Sequence, residues 1–438
     1  MNASSRLAAT CAAVALLLWT APLPAFEAGD IQLHGFVSQG YIETSDNNWL
    51  AETRDGTFQF NEAALNATYQ RDRLYIGVQA LSKDLGDQGN NEFELDWALG
   101  DYRLRDWFGV RAGRCKLPMG LYNQGRDVDM LRNPVFLPQT LYDEGSRDLF
   151  NVYNGVGFYG NIMLPAVGDL DYETFYGAID VDQDGIFVRG SFEAFDRGVD
   201  AQMAKMGAAT SGVRNGEIDN QFICGGALRW NLPVGLRLGA SLFHGENELT
   251  GDLTVNPNGP AGPPFFFPWT MDVQVDHTMD HNIVLSAEYT WRDLVLTAEW
   301  QKFRGTMEME FLNVQNSMGA APPIPMDKVE VVSEAQGWYV MGSYQLFSRY
   351  TPGLIYGEYI PNEDDPDGQQ RARTFNEPPY YAFHREWTAF LRVDITDNWL
   401  AKAEWHWVDG AARLYDYNNP GGREDDWTIM ALKTTFYF

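Results

Sequence analysis

Apolar and polar residues alternate with a period of two along most of this chain, the pattern of β-strands with one face in each of two environments. The clearest runs are "IVLSAEYTW" (283–291), "LVLTAEW" (294–300), "WYVMGSYQLF" (338–347), "WTAFLRVDI" (387–395) and "WLAKAEWHW" (399–407). In the last, Trp399, Ala401, Ala403, Trp405 and Trp407 share one face, and Lys402, Glu404 and His406 share the other. A soluble sandwich would alternate in the same way, so the joins between strands carry the decision. About sixteen strands fit the sequence, and their joins alternate between short and long. The short ones are 70–73, 100–106, 164–169, 231–235, 291–293, 347–353 and 396–398. The long ones run over 42–57, 82–91, 116–151, 180–217, 245–280, 305–334, 361–385 and 409–425. Long loops on one rim and short turns on the other are expected of a membrane barrel with an even strand number and both termini on one side. A sandwich spaces its turn signals more regularly. The fold expected is therefore all-β: a transmembrane antiparallel β-barrel of about sixteen strands, with short periplasmic turns and long extracellular loops. Residues 26–438 form one domain in this reading, since no repeat of solenoid period and no long low-complexity linker is visible.

The end of the chain agrees. In "LKTTFYF" (432–438), Phe438, Phe436, Thr434 and Leu432 fall on one face. Tyr437, Thr435 and Lys433 fall on the other. A last strand that closes the barrel against the first leaves no free edge, and Phe436 and Phe438 would then sit in the aromatic girdle of the periplasmic rim. A terminal aromatic also resembles the assembly signal of outer-membrane barrels in general.

Composition adds compartment and partners. The first thirty residues have a short basic start at Arg6, an apolar run from Leu7 to Trp19 and a Pro/Ala-rich end, which reads as an export signal cleaved after Ala25 (1–25). Cys11 stands at the start of the apolar run, where a lipoprotein signal would not place it. Cys115 and Cys224 remain after cleavage and are expected on non-adjacent strands as free thiols. The formal net charge of −28 argues against nucleic acid as a partner. Acid is concentrated in "NEDDPDG" (362–368) and "REDD" (423–426), read as solvated loops or, more sharply, as divalent-cation bridges to anionic surface lipid such as lipopolysaccharide.

A barrel of this size leaves an aqueous channel unless something folds into it. The third long loop, 116–151, is the candidate, with Leu121, Tyr122, Leu131, Phe136 and Leu137 as anchors against an inner wall. Arg111, Arg114, Lys116 and Arg126 come before any acid of that stretch, and Asp127 and Asp129 follow. Cations at a constriction favour anions by replacing lost hydration with fixed charge, so these six residues are the candidate constriction contacts. By strict alternation Arg111 faces the lumen, whereas Arg114 and Lys116 need a bulge or a position beyond the membrane edge. Arg229, Arg237, Arg392, Lys402 and Lys433 also face the lumen by parity, against at least as many acids, among them Asp96, Glu173, Glu288, Glu299 and Glu404. Anion selectivity does not follow from parity.

Other chemistry is weaker. "DVDQDG" (180–185) starts like a calcium loop, but its twelfth position is Ser191, which offers no bidentate carboxylate. His277 and His281 in "HTMDH" lead into a strand, where they would stand about 13 Å apart, too far for one metal. No nucleophile motif accompanies the scattered serines and histidines, so no enzymatic activity, cofactor or metal is expected.

The stretches "RAGRCKLPMGLYNQGRDVDM" (111–130) and "VFLPQTLYDE" (135–144) resemble the phosphate-selective and DcaP-like trimeric porins of Gram-negative outer membranes. In that family a strand end of this type leads into the constriction loop. The resemblance implies a sixteen-stranded homotrimeric barrel whose third loop enters the lumen and which passes small hydrophilic, anionic solutes such as phosphate or dicarboxylates. The arginine ladder of phosphate-selective members does not map onto this chain residue by residue. A plugged structural or adhesive barrel is the alternative reading, and a lipid-modifying enzyme a more distant one.

Overall fold

The computed structural model describes residues 26–205, 208–257, 268–316 and 328–438; the expected signal segment lies outside them. Sixteen long strands form a closed antiparallel barrel. They are β1 (Ile31–Thr44), β2 (Asn61–Arg71), β3 (Leu74–Leu85), β4 (Gln88–Arg105) and β5 (Phe108–Lys116). After the third loop come β6 (Val152–Leu164), β7 (Gly168–Ala178), β8 (Arg214–Asn231), β9 (Leu236–Pro257), β10 (Trp269–Trp291) and β11 (Leu294–Asn316). The wall is completed by β12 (Val329–Tyr344), β13 (Tyr350–Ile360), β14 (His384–Thr396), β15 (Trp399–Asp409) and β16 (Asp426–Tyr437). Each strand pairs with the next, and β16 closes on β1 from Ile429↔Thr44 to Tyr437↔Phe36. Phe438 extends that seam: its N–H donates to the Gly35 carbonyl at 3.0 Å, and Phe436 stacks on Trp399.

The alternation is inside out relative to a water-soluble protein. Along β15, Leu400, Lys402, Glu404, His406 and Val408 are buried, while Trp405 and Trp407 are exposed. The outer wall presents Leu65, Ile76, Val78, Phe158, Leu228, Leu242, Leu285, Val340 and Leu354, all exposed. Each would cost about 1.5–3 kcal/mol if left in water; hydrocarbon removes that cost, which is the physical reason for a bilayer around this wall. No described helix is long and apolar enough to cross a membrane.

The short rim uses tight turns. Arg71↔Leu74 and Trp291↔Leu294 are the last pairs of their hairpins, and Asp72 and Arg292 take the left-handed backbone (φ +56° and +54°) that two-residue hairpin turns require. The long rim differs from the sequence reading. Segment 82–91 is a continuation of β3 and β4 to Leu85↔Gln88 around a two-residue turn. Much of 245–280 and 305–334 is strand as well. Beyond the bilayer neither face needs to be lipophilic, so "GENELTGDLTV" keeps its ladder without the apolar outer face that marks a membrane strand.

Two helices belong to the long rim, α1 (Ile186–Lys205) and α2 (Gln369–Phe375). Val199 and Met203 of α1 pack on Leu253, Val255, Met271 and Val273 of the β9–β10 extension. "DVDQDG" is the turn entering α1, with the Asp184 N–H on Asp182 Oδ1 at 3.1 Å. Cys115 is buried on β5, Cys224 half-buried on β8, and both are free thiols.

Candidate pore constriction

The chain leaves the wall at Lys116 and rejoins it at Val152, crossing the lumen between. It first reaches the opposite wall. The Gly120 N–H meets Ser241 Oγ of β9 at 3.2 Å, and the Tyr122 hydroxyl donates to Glu288 of β10 at 3.0 Å. Gly120 has φ +56°, and a Cβ there would lie 2.3 Å from the Tyr142 hydroxyl, so only glycine makes this turn. Glu299 of β11 is the centre of the contact. Its carboxylate accepts from Ser286 Oγ at 2.5 Å, Tyr142 OH at 2.5 Å, Tyr339 OH at 2.6 Å and the Leu121 N–H at 2.9 Å.

The loop then turns to the seam side of the barrel. Asp129, fully buried, lies 3.0 Å from Lys402, 3.1 Å from Lys433 and 3.4 Å from Arg132, and accepts the Thr435 hydroxyl at 2.6 Å. Burial alone would push this loop carboxyl up; Lys402, Lys433, Arg132 and the Thr435 hydroxyl together hold it well below the usual range. Farther on, Glu404 of β15 accepts the N–H groups of Val135 (2.6 Å) and Phe136 (3.2 Å), and the Phe136 ring stacks on Phe60. The Thr140 hydroxyl caps the Trp338 carbonyl of β12 at 3.1 Å. A loop fastened to walls on all these sides is a fixed diaphragm. Phe136 and Leu137 are buried, and Leu121 and Tyr122 half-buried, as anchors should be; Leu131 is 69% exposed, and Met130 takes its place against Phe36, Ala64 and Leu81.

This fastening changes what the expected contact residues can do. Arg126 is 2% exposed, with its guanidinium on Glu144 at 3.1 Å. Asp127 is fully enclosed between Lys116 and Arg147, and Asp129 is the latch just described. All three are buried, and a crossing loop packed into the barrel must neutralise its buried charges to stay in place. Lys116 is the last residue of β5, paired with Val152, and its ammonium turns to Asp96 at 2.6 Å, where a bulge in β4 re-aims that acid. Arg114 lies against the Asp96 carbonyl (3.2 Å) and Asp180 (3.6 Å). Arg111 faces the lumen with Glu173 at 2.8 Å and Asp101 at 3.4 Å.

The other inward cations also touch the loop or its supports. Arg392 donates to the Met130 carbonyl at 2.7 Å, and Arg229 to Gln124 Oε1 at 3.1 Å. Lys402 and Lys433 hold Asp129. Arg237, on Glu288 at 3.4 Å, remains half exposed.

Open space lies between the diaphragm and the short-turn rim. Two adjoining cavities of about 550 and 510 Å³ share Arg103, Asp106, Arg111 and Tyr159. The Tyr159 ring has Arg111 4.4 Å and Arg103 6.0 Å from its centroid. Arg103 makes no ion pair with a described residue, and it lines this space together with Asp72, Asp101 and Asp106. Arg103 and Tyr159 were not singled out from sequence. The alternation that turns Arg111 inward also turns Arg103, paired opposite Gly109, inward, and that was the available signal.

Toward the long-loop rim, loops pack together on the seam side of the barrel. Trp49 and Leu50 of the first loop, Phe136, Ile186 of α1, Tyr381, and Leu414 pack into one apolar cluster with Trp427 and Ile429 of β16. Part of the acid of the expected surface runs is used internally. Asp365 accepts the N–H groups of Gln370 (2.9 Å) and Arg371 (2.6 Å), and Glu363 pairs with Lys302 at 2.7 Å.

No family model and no curated protein matches the chain. Solved structures do. The anion-selective porin from Comamonas acidovorans is 10% identical at TM-score 0.50, over 93% of this chain and 99% of that one. Salmonella typhi OmpF in complex with daunomycin is 11% identical at TM-score 0.54, over 93% and 97%. The outer membrane channel DcaP of Acinetobacter baumannii is 11% identical at TM-score 0.48, over 95% and 100%. At these identities the likeness concerns architecture alone, and the two porins at TM-score 0.50 or above share with this chain a closed antiparallel barrel.

Proposed function

We propose that this protein is an outer-membrane porin, exported through a cleaved signal peptide, that passes small hydrophilic solutes by diffusion and favours anions. The observation that carries the reading is the diaphragm itself: a loop anchored on several walls, with polar space beside it lined by Arg103, Arg111 and Arg229 among Asp72, Asp101, Asp106, Asp171 and Glu173. Fixed guanidinium groups there replace part of the hydration an anion loses on entering. The anion contacts are thus Arg111 with Arg103 and Arg229, while Lys116, Arg126, Asp127 and Asp129 hold the loop and Arg114 pairs with Asp180. Assembly as a homotrimer and contact of the acidic loops with lipopolysaccharide through divalent cations belong to the same proposal.

The test is a planar bilayer under a salt gradient. Stepwise conductance with an anion-favouring reversal potential is the expected result, with current reduced by phosphate or succinate. Arg103→Glu, which breaks no ion pair, should move the reversal potential toward cations by an amount readable at low salt, where screening is weak. An unchanged potential would remove Arg103 from the selectivity site. The apolar cluster among the long loops favours a second reading, a plugged structural barrel; absence of conductance steps would select it.

A further inference from the structure

Three arginines of the short-turn rim, Arg71, Arg73 and Arg105, form no ion pair with a described residue. They stand on two neighbouring turns, β2–β3 and β4–β5, which are tied by the Arg103 N–H on the Arg73 carbonyl at 2.9 Å. The strand register gives the direction of two of them. Arg71 is opposite Leu74, and Leu74 opposite Tyr102, on the face that carries the exposed Ile76 and Val78. Arg105 is opposite Phe108, whose ring stacks on the exposed Phe158 of the outer wall. Both arginines therefore lie on the lipid side of the barrel, at its short-turn edge.

Two of the guanidinium groups are drawn together. Arg73 Nη1 donates to the Leu104 carbonyl at 3.0 Å, and Arg105 Nη1 donates to the same oxygen at 3.1 Å. Like charges at this separation repel, the more so at the low-dielectric edge of a bilayer, and an anion held between them removes the repulsion. Guanidinium forks match the oxygens of a phosphate. Beside the pair is an apolar ledge: Trp107 is 59% exposed, its ring 5.9 Å from Phe108, and Tyr102 is 49% exposed. Amphipathic aromatic rings in such a position sit at the headgroup level of a membrane. The mouth cavity of about 550 Å³ extends to this edge, where Asp72, Arg73, Leu74, Leu104, Arg105 and Asp106 border it. Asp72 and Asp106 form no ion pair with a described residue either. A ligand that answers both signs carries a phosphate and an ammonium on one short headgroup.

We propose that this edge is a binding site for a zwitterionic glycerophospholipid of the inner leaflet. Its phosphodiester lies on Arg73 and Arg105, its ammonium toward Asp72 and Asp106, and its glycerol end against Trp107 and Tyr102. Arg71 adds positive charge on the lipid side, where basic groups hold phospholipid head groups. The proposal rests on the outer-membrane reading, which sets the short-turn rim at a phospholipid surface, and not on conduction.

The probe is phosphatidylethanolamine, titrated into the folded mature protein after it is stripped of lipid in a mild detergent, and followed by native mass spectrometry. One retained lipid per chain is expected, with at least fivefold less retention in the Arg73→Gln/Arg105→Gln double variant. Asp72→Asn/Asp106→Asn should lower retention of phosphatidylethanolamine and not that of phosphatidylglycerol. Arg349→Gln, which removes the same charge from the β12–β13 turn, should match the wild type. Heat-modifiable gel migration reports that each variant is folded, and the single Arg105→Gln carries the test if the double variant is not. Equal retention in the wild type and the arginine variant, or the same loss in Arg349→Gln, overturns the site. Phosphatidylglycerol held as tightly as phosphatidylethanolamine by the wild type overturns the zwitterionic class, and displacement of the lipid by inorganic phosphate overturns the lipid source. Bilayer conductance of the same preparation separates the two claims: a conducting channel that retains no lipid loses only the headgroup site, and a silent barrel that retains it loses only the porin reading.

Discussion

Asp129→Ala is expected to lower stability by about 3–5 kcal/mol, since removing one partner of a buried ionic cluster strands the others. Those others are Lys402 and Lys433 on the last two strands and Arg132 on the loop, all buried and within 3.4 Å of the carboxylate. Lys433 and Arg132 also share Glu62, at 2.5 and 3.8 Å, which compensates part of their charge; Lys402 has no second carboxylate within an ion pair among the described residues. The cheapest response is for the loop to leave the seam wall and let water reach the two lysines. The variant should therefore show an earlier midpoint in urea unfolding and, as a channel, a larger and noisier unit conductance. Asp129→Asn keeps the shape and should produce most of the same loss, because charge is what the cluster needs. Equal midpoints and equal conductance in all three proteins would show that the latch does not hold the loop. The sign with pH follows from the depressed carboxyl. Its contribution is complete above the ordinary aspartate value of about 3.9 and is lost only as pH falls through the much lower folded value. The Asp129 latch should thus persist at about pH 4, where ordinary aspartates are half protonated.

Glu299→Ala should be the second large effect, about 3–5 kcal/mol from a different mechanism. Here no cation is stranded; four donors lose their common acceptor in a site that water does not reach. Each buried donor left unpaired costs about 1–3 kcal/mol, reduced wherever relaxation finds a new partner. Tyr142 and Leu121 belong to the loop and Ser286 and Tyr339 to the wall, so the loss also frees the first crossing of the diaphragm. Glu299→Gln retains one carbonyl oxygen but turns an amide N–H₂ toward donors, and should recover less than half of the loss. Urea unfolding reads the stability, and exposure of the loop to limited proteolysis reads the release. A full recovery by glutamine would mean that the site needs shape and not an acceptor pair.

The barrel was legible in the chain because its signals are local. Alternation in "WLAKAEWHW" assigns Trp405 and Trp407 to the outside and Lys402, Glu404 and His406 to the inside without any partner being known. The same holds for "LKTTFYF", where Leu432 is exposed and Lys433 buried as parity requires. Loop lengths were legible only where a strand stops at the membrane. The β9–β10 and β11–β12 hairpins continue past it, where pairing persists but the lipophilic face that betrays a strand is no longer needed.

The charges divide along the same line. Sequence alone determined the two-sided strands, the even number of crossings, the inward third loop and the direction of wall side chains in unbulged strands, since all of these depend on neighbours two residues apart or on the length of a segment. Which of Arg111, Arg114, Lys116, Arg126, Asp127 and Asp129 faces open lumen was decided only by the fold. Asp129 meets Thr435 from 306 positions away, and Leu121 meets Glu299 from 178. A charge in a low-dielectric interior is governed by whichever opposite charge tertiary packing brings within a few ångströms, and no periodicity records that.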